Sequence, residues 1–198
     1  MIHKLSVVCA KKIISVGQLQ SISEPVLCYG CELIITSIIG LFILILLSLL
    51  IGHPLAWVFF VIGFAPQRTS SGGYHADTHI RCYMATSAMF LLGASVAYGL
   101  TWNSFIYLVI SVFSSIFVLL LAPVAATNKP LSSKRYRTNR IRSLVLISMN
   151  LVLAILLLWL NIVIRAANMY YSGIFFAALS LIIGKAKISL KGGNNSKG

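Results

Sequence analysis

Residues 33–51 read LIITSIIGLFILILLSLLI, with no charged side chain and only Thr36, Ser37 and Ser48 as polar interruptions. A helix needs about 20 such residues to cross a hydrocarbon core. Outward from this run, similar apolar segments recur at 54–66, 81–101, 103–122, 143–164 and 167–184. The chain as a whole is 59% hydrophobic and 10% charged. Soluble domains carry about a quarter charged residues, so that class is excluded. The expected fold is all-α: a polytopic membrane helical protein with about six transmembrane segments. The segment 54–66 lies between Pro54 and Pro66 and is short for a full crossing. A tilted or re-entrant piece packed inside protein is the form such a segment takes. No internal repeat is present, which counts against a repeat-built transporter.

The first twenty residues do not read as a cleavable signal peptide, because Lys4, Lys11 and Lys12 are spread among apolar residues. Ile2, Leu5, Val8, Cys9, Ile13, Val16 and Leu19 recur at steps of three and four, the helical spacing. This predicts an N-terminal amphipathic helix lying at the inner membrane surface. The expected organisation is one integral membrane domain over 1–184, with 1–30 as its interfacial part and 65–85 as its chemically loaded segment. A basic cytoplasmic tail follows over 185–198, and its end, GGNNSKG, reads as disordered.

Charge tests the layout independently. With the N-terminus inside, the cytoplasmic segments collect every Lys and Arg except Arg165. Such an asymmetry is what the positive-inside rule demands, so both termini are expected in the cytoplasm. The net charge of +13 is then accounted for by anionic lipid head groups, and no nucleic-acid motif accompanies it. The run Lys129, Lys134, Arg135, Arg137, Arg140 and Arg142 reads as a basic loop after the fourth span, suited to lipid and to an acidic peptide.

Chemistry concentrates in APQRTSSGGYHADTHIRCYMA, residues 65–85, between the second and third spans. Polar and ionisable groups are costly at that depth and usually functional. Gly72 and Gly73 permit backbone conformations and close approaches that other residues forbid. His75 and Cys82 are candidates for a base and nucleophile pair, beside the plain reading of a packing cysteine and an interfacial hydrogen-bonding histidine. On one straight helix they would stand roughly 10 Å apart, too far for proton transfer. A catalytic reading therefore requires the chain to bend between them, with Cys82 opening the third span. There the helix N-terminus, His75 and Arg81 would all favour a thiolate nucleophile.

Two other readings stand beside this one. His75 and His79 have the i, i+4 spacing of zinc proteases, and Cys82 would complete a ligand set. However, Ala76 holds the place of the usual glutamate base, and the chain's only carboxylates are Glu24, Glu32 and Asp77. No metal and no cofactor is expected. A membrane peptide transporter or exporter is permitted by six spans, yet those spans hold almost no ionisable residue to form a pathway. Cys28 and Cys31 have the two-residue spacing of redox and metal motifs, but no second ligand pair accompanies them. They read as packing residues, Cys9 is expected on the apolar face of the amphipathic helix, and no structural disulfide is expected on the reducing side.

The stretch RTSSGGYH at 68–75, followed by Arg81-Cys82, resembles the AgrB family of bacterial membrane peptidases that process quorum-sensing propeptides. APVAATNKPL at 122–131 is similar to that family's proline- and asparagine-containing segment before a basic loop. The resemblance covers nearly the whole chain. It implies a cysteine endopeptidase of the bacterial cytoplasmic membrane, with His75 as general base and Cys82 as nucleophile. It further implies an acyl-enzyme thioester that an internal cysteine or serine of the precursor displaces, closing a thiolactone or lactone. A homodimer is expected, with a small propeptide bearing an amphipathic membrane-bound segment as partner. Candidates for supporting roles are Arg68, Gly72, Gly73 and Asp77. Candidates for reading the substrate are Arg81, Lys129, Pro130, Lys134 and Arg135.

Overall fold

In a computed structural model the described residues are 2–16, 23–72, 78–100, 103–124, 133–159 and 164–194. They form α1 (Ile2–Val16), α2 (Glu24–Leu50), α3 (Ala56–Ser71), α4 (His79–Gly99), α5 (Ser104–Leu121), α6 (Ser133–Trp159) and α7 (Ile164–Asn194). The expected all-helical membrane fold is what the chain adopts. Large apolar side chains point outward: Phe42, Leu50, Phe113, Leu120, Met149 and Trp159 are all mostly exposed. Meanwhile Ser111, Ser115, Ser143, Asn168 and Ser180 are buried. In water, exposed apolar faces of this extent would associate or collapse. In lipid they meet a solvent as apolar as themselves, and helices cohere through small and polar residues instead.

Among the described residues four helical stretches are long and apolar enough to cross a membrane: Glu24–Leu50, His79–Gly99, Tyr136–Trp159 and Ala167–Ser189. Phe105–Leu121 is a shorter apolar helix. At about 17 residues a helix just reaches the lower limit for spanning. The expected second span became α3, whose 16 residues fall below that limit.

Several boundaries differ from expectation, each for a local reason. The interfacial segment expected over 1–30 is two elements, because α1 stops at Val16 and α2 already begins at Glu24. Pro25 sits in the first turn of α2, where its missing N–H is no loss, and Glu24 complements the positive end of the helix. α3 runs past Pro66 to Ser71, and the hydroxyls of Thr69 and Ser70 donate to the Pro66 carbonyl at 2.9 and 3.1 Å. The basic run expected as a loop largely forms the opening turns of α6, which starts at Ser133. No Pro or Gly follows Pro130 there, and Lys and Arg are good helix formers. α7 continues to Asn194, through most of the tail expected over 185–198, with Ile188 still packed on the core.

The chain divides within α2 into two compact units, Met1–Leu47 and Ser48–Gly198. In the first, α1 lays Ser6 and Ala10 on Cys28 and Cys31 of α2. Ser6 Oγ is 3.3 Å from Cys28 Sγ, and His3 pairs with Glu32 at 3.7 Å. All four cysteines are free, with Cys28 and Cys31 buried as packing residues and Cys9 exposed.

In the second unit α7 is the central element, and α3 packs chiefly against it. A Cβ on Gly63 would strike the Tyr170 carbonyl, and one on Gly173 would lie 2.6 Å from the Phe60 carbonyl. The two glycines thus face each other's helix and let the backbones touch, the small-residue device of membrane helix pairs. Phe60 fills the space beside them, edge-on to Phe90 with ring centroids 5.4 Å apart. Hydroxyls tie α7 and α5 to their neighbours. Tyr170 donates to the Asn150 carbonyl at 2.7 Å, Tyr171 to the Ala154 carbonyl at 2.9 Å, and Tyr107 to the Val96 carbonyl at 2.8 Å.

Candidate functional site

α3 ends where α4 is about to begin, and both ends carry residues singled out above. Gly72 caps α3 with φ 75° and ψ −151°, a conformation reserved for glycine. Its amide donates to the Arg68 carbonyl at 3.1 Å, so it is engaged in closing the helix rather than offered to a substrate oxyanion. A Cβ at Gly72 would collide with the Val124 carbonyl. That contact belongs to a parallel bridge in which Val124 N–H donates to the Ser71 carbonyl at 2.9 Å. The close approach expected of the double glycine is therefore realised at Gly72.

α4 opens on Thr78, whose extended backbone and side-chain oxygen form an N-cap, accepting from the Arg81 amide at 3.4 Å. The first backbone bond of the helix runs from Cys82 N–H to the Thr78 carbonyl at 3.1 Å. Cys82 is thereby placed in the opening turns of α4, half-buried, with Arg81 exposed beside it. Across from it, Arg68 on the last turns of α3 lies over the Phe64 ring, 5.3 Å from its centroid. Its Nη2 reaches to 3.8 Å from Cys82 Sγ. A cation and a thiol fourteen positions apart in sequence are brought together by two helix ends.

His75 lies outside the described residues, as do Gly73, Asp77, Lys129 and Pro130. The chain does not continue as one helix through this region: α3 stops at Ser71 and α4 starts at His79. Lys134 is exposed in the first turn of α6, and Arg135 follows it on the same helix. Further along, the Arg140 guanidinium donates to the Ala122 carbonyl, which caps the C-terminal end of α5. Carbonyls there lack intrahelical partners and the helix dipole favours a cation, which offsets the unfavourable placing of so many cations at the start of α6. Among the described residues no three His, Cys, Asp or Glu side chains converge as a metal set.

One cluster was not anticipated from the sequence. Gln67, fully buried beside Arg68, donates from Nε2 to Ser71 Oγ and to Ser143 Oγ of α6, the latter at 2.9 Å. Ser71 and Ser143 are themselves 2.8 Å apart. The i, i+4 pairing of Gln67 and Ser71 was readable as one helical face. The third member was not, being 72 residues further on.

The fold and this thiol–guanidinium pair define a helical membrane protein with a polar, cysteine-bearing site at the junction of two helix ends. The chain belongs to the accessory gene regulator B family, whose model matches residues 6–184. It is 27% identical over 158 residues to a Clostridium acetobutylicum protein described as AgrB-like, covering 80% of this chain and 75% of that one. No solved structure matches the chain significantly. Family membership places the protein in accessory-gene-regulator quorum sensing, a family known for propeptide processing.

Proposed function

We propose that the protein is a cysteine endopeptidase of the bacterial cytoplasmic membrane that cuts a small quorum-sensing propeptide through an acyl-enzyme thioester. The observation that carries this reading is Cys82 in the opening turns of α4 with the Arg68 guanidinium 3.8 Å from its sulfur. A thiol held at a helix N-terminus beside a fixed cation is the environment in which cysteine acts as a nucleophile. In this reading His75 takes the Cys82 thiol proton, and the sulfur attacks the scissile carbonyl carbon. The C–N bond then breaks, and His75 returns the proton to the departing amine. An internal thiol or hydroxyl of the precursor next attacks the thioester carbonyl, closing the ring and restoring the Cys82 thiol. A tethered nucleophile has a high effective concentration, so ring closure outruns hydrolysis where water is scarce.

The cations of α6, with Lys134 and Arg135 at their head and Lys129 and Pro130 before them, would hold the propeptide. Arg81 would contact it nearer the cut. Both termini and the site would face the cytoplasm, 1–184 would act as one peptidase domain, and two copies would pair.

Intact-mass spectrometry of the purified protein mixed with the peptide encoded beside it tests the reading. Wild type should cleave the peptide and gain a covalent thiol-linked fragment, while Cys82→Ala should do neither. Cleavage by Cys82→Ala that a chelator abolishes would transfer the chemistry to a His75/His79 zinc site. Binding and movement of the peptide without cleavage would make the protein an exporter.

A further inference from the structure

Gln67 is buried completely, yet its Oε1 has no hydrogen-bond partner among the described residues. Leaving an acceptor unpaired away from water is unfavourable, so an apolar side chain would serve packing better at this position. Proton counting shows what the amide does there. With Nε2 turned toward the serines, its two hydrogens go to Ser71 and Ser143, and one serine hydroxyl serves the 2.8 Å contact between them. With the amide reversed, both hydroxyls would be spent on Oε1 and the serine–serine contact would hold no hydrogen. Only the orientation that strands Oε1 closes all three sides of the triangle.

The triangle joins the last turns of α3 to α6 next to the residue that touches the nucleophile. Gln67 and Arg68 are consecutive, so they project about 100° apart around the helix. Gln67 and Ser71 face α6, while Arg68 faces α4 and Cys82. α3 is held on α7 through Gly63 and Gly173, a contact that sets how close the helices come. At the far end the Val124 N–H bond to the Ser71 carbonyl also fixes the backbone of α3, and the triangle adds the side-chain tie to α6. A rotation of only 20° would carry a guanidinium roughly 6 Å from the helix axis through about 2 Å, enough to break its contact with sulfur.

We infer that the Gln67–Ser71–Ser143 cluster is a positioning device: it locks the rotation of the C-terminal end of α3 against α6 and so holds Arg68 at Cys82. Gln67 is a positioning residue that acts through Arg68. The inference deepens the peptidase reading and takes its importance from it, but its test needs no peptide substrate.

The test is the rate at which iodoacetamide alkylates Cys82 in the full chain in lipid nanodiscs at neutral pH. Mass spectrometry of fragments reads the rate, with exposed Cys9 as internal standard. Arg68→Gln should slow labelling of Cys82 on the order of fivefold, the effect of removing a neighbouring cation at a half-exposed site. Gln67→Leu and Ser143→Ala should each slow it about two- to threefold by loosening the same contact. Ser143→Thr, which keeps the hydroxyl, should restore the wild-type rate, and Gln67→Leu should add nothing in the Arg68→Gln background. The inference is overturned if Ser143→Ala labels like wild type while Arg68→Gln is slow, or if Ser143→Thr fails to rescue. It is equally overturned if Gln67→Leu and Arg68→Gln slow labelling independently, or if Arg68→Gln leaves the rate unchanged. A wild-type protein that labels as expected but never cleaves its peptide would remove the peptidase reading and leave the positioning intact.

Discussion

α2 and α7 are both long apolar helices, but they meet different surroundings. The most apolar part of α2 has a mean hydropathy of 3.0 and is 11% buried, whereas that of α7 has 1.4 and is 50% buried. α2 presents Ile38, Phe42, Leu46, Leu49 and Leu50 to the outside. α7 instead turns Asn168, Ser172, Gly173 and Ser180 inward. The difference teaches that in lipid an apolar face needs no protein partner, whereas a helix that packs within its own unit does so through small and polar residues. Burial of apolar area cannot drive helices together where the solvent is itself hydrocarbon, so contact quality and hydrogen bonds must.

The sharpest way to break the comparison is a single methyl group. Gly63→Ala should destabilise the α3–α7 contact by about 2–3 kcal/mol, because the new Cβ meets a backbone carbonyl that has nowhere to move. Thermal unfolding in nanodiscs reads the loss. The matching change in α2, Gly30→Ala, finds nothing within 4 Å of its new Cβ. It should be neutral or stabilising by up to about 1 kcal/mol, the helix-propensity gain. Equal destabilisation by the two would mean that α2 is packed as tightly as α7. A smaller effect is expected from Tyr170→Phe, which removes the hydroxyl bonded to Asn150. About 0.6 kcal/mol is the typical value of such a bond within a membrane. Smallest of all should be Phe42→Leu on the outer face of α2, within about 0.5 kcal/mol of wild type.

The same contrast explains what was readable. The span 33–51 announced itself because lipid solvation imposes a condition on each residue separately, and α2 answers it at nearly every position. α3 was misjudged in length because Pro66 reads as a stop, yet the helix runs through it to Ser71. α6 was begun about ten residues late because charge was taken for loop, although Lys and Arg carry helices well when one of them can reach a neighbouring helix end, as Arg140 does. At the site, Cys82 was visible as a candidate thiol at a span boundary, and Gly72 as a backbone necessity. Arg68 was a candidate through its charge alone, while Gln67 attracted no notice because an uncharged amide in a polar stretch carries no motif of its own.

By itself the sequence determined the all-helical membrane class and the family. Each follows from residue-by-residue properties: apolarity over the length of a bilayer, charge at its edges, and a short run of unusual residues. Only the tertiary structure decided that α3 rests on α7 through two glycines, that Arg68 meets Cys82, and that Gln67, Ser71 and Ser143 close a triangle beside them. Those choices depend on which backbones approach closely enough for a hydrogen bond. In lipid that approach is set by small and polar residues whose partners lie dozens of positions away, and no local pattern points to them.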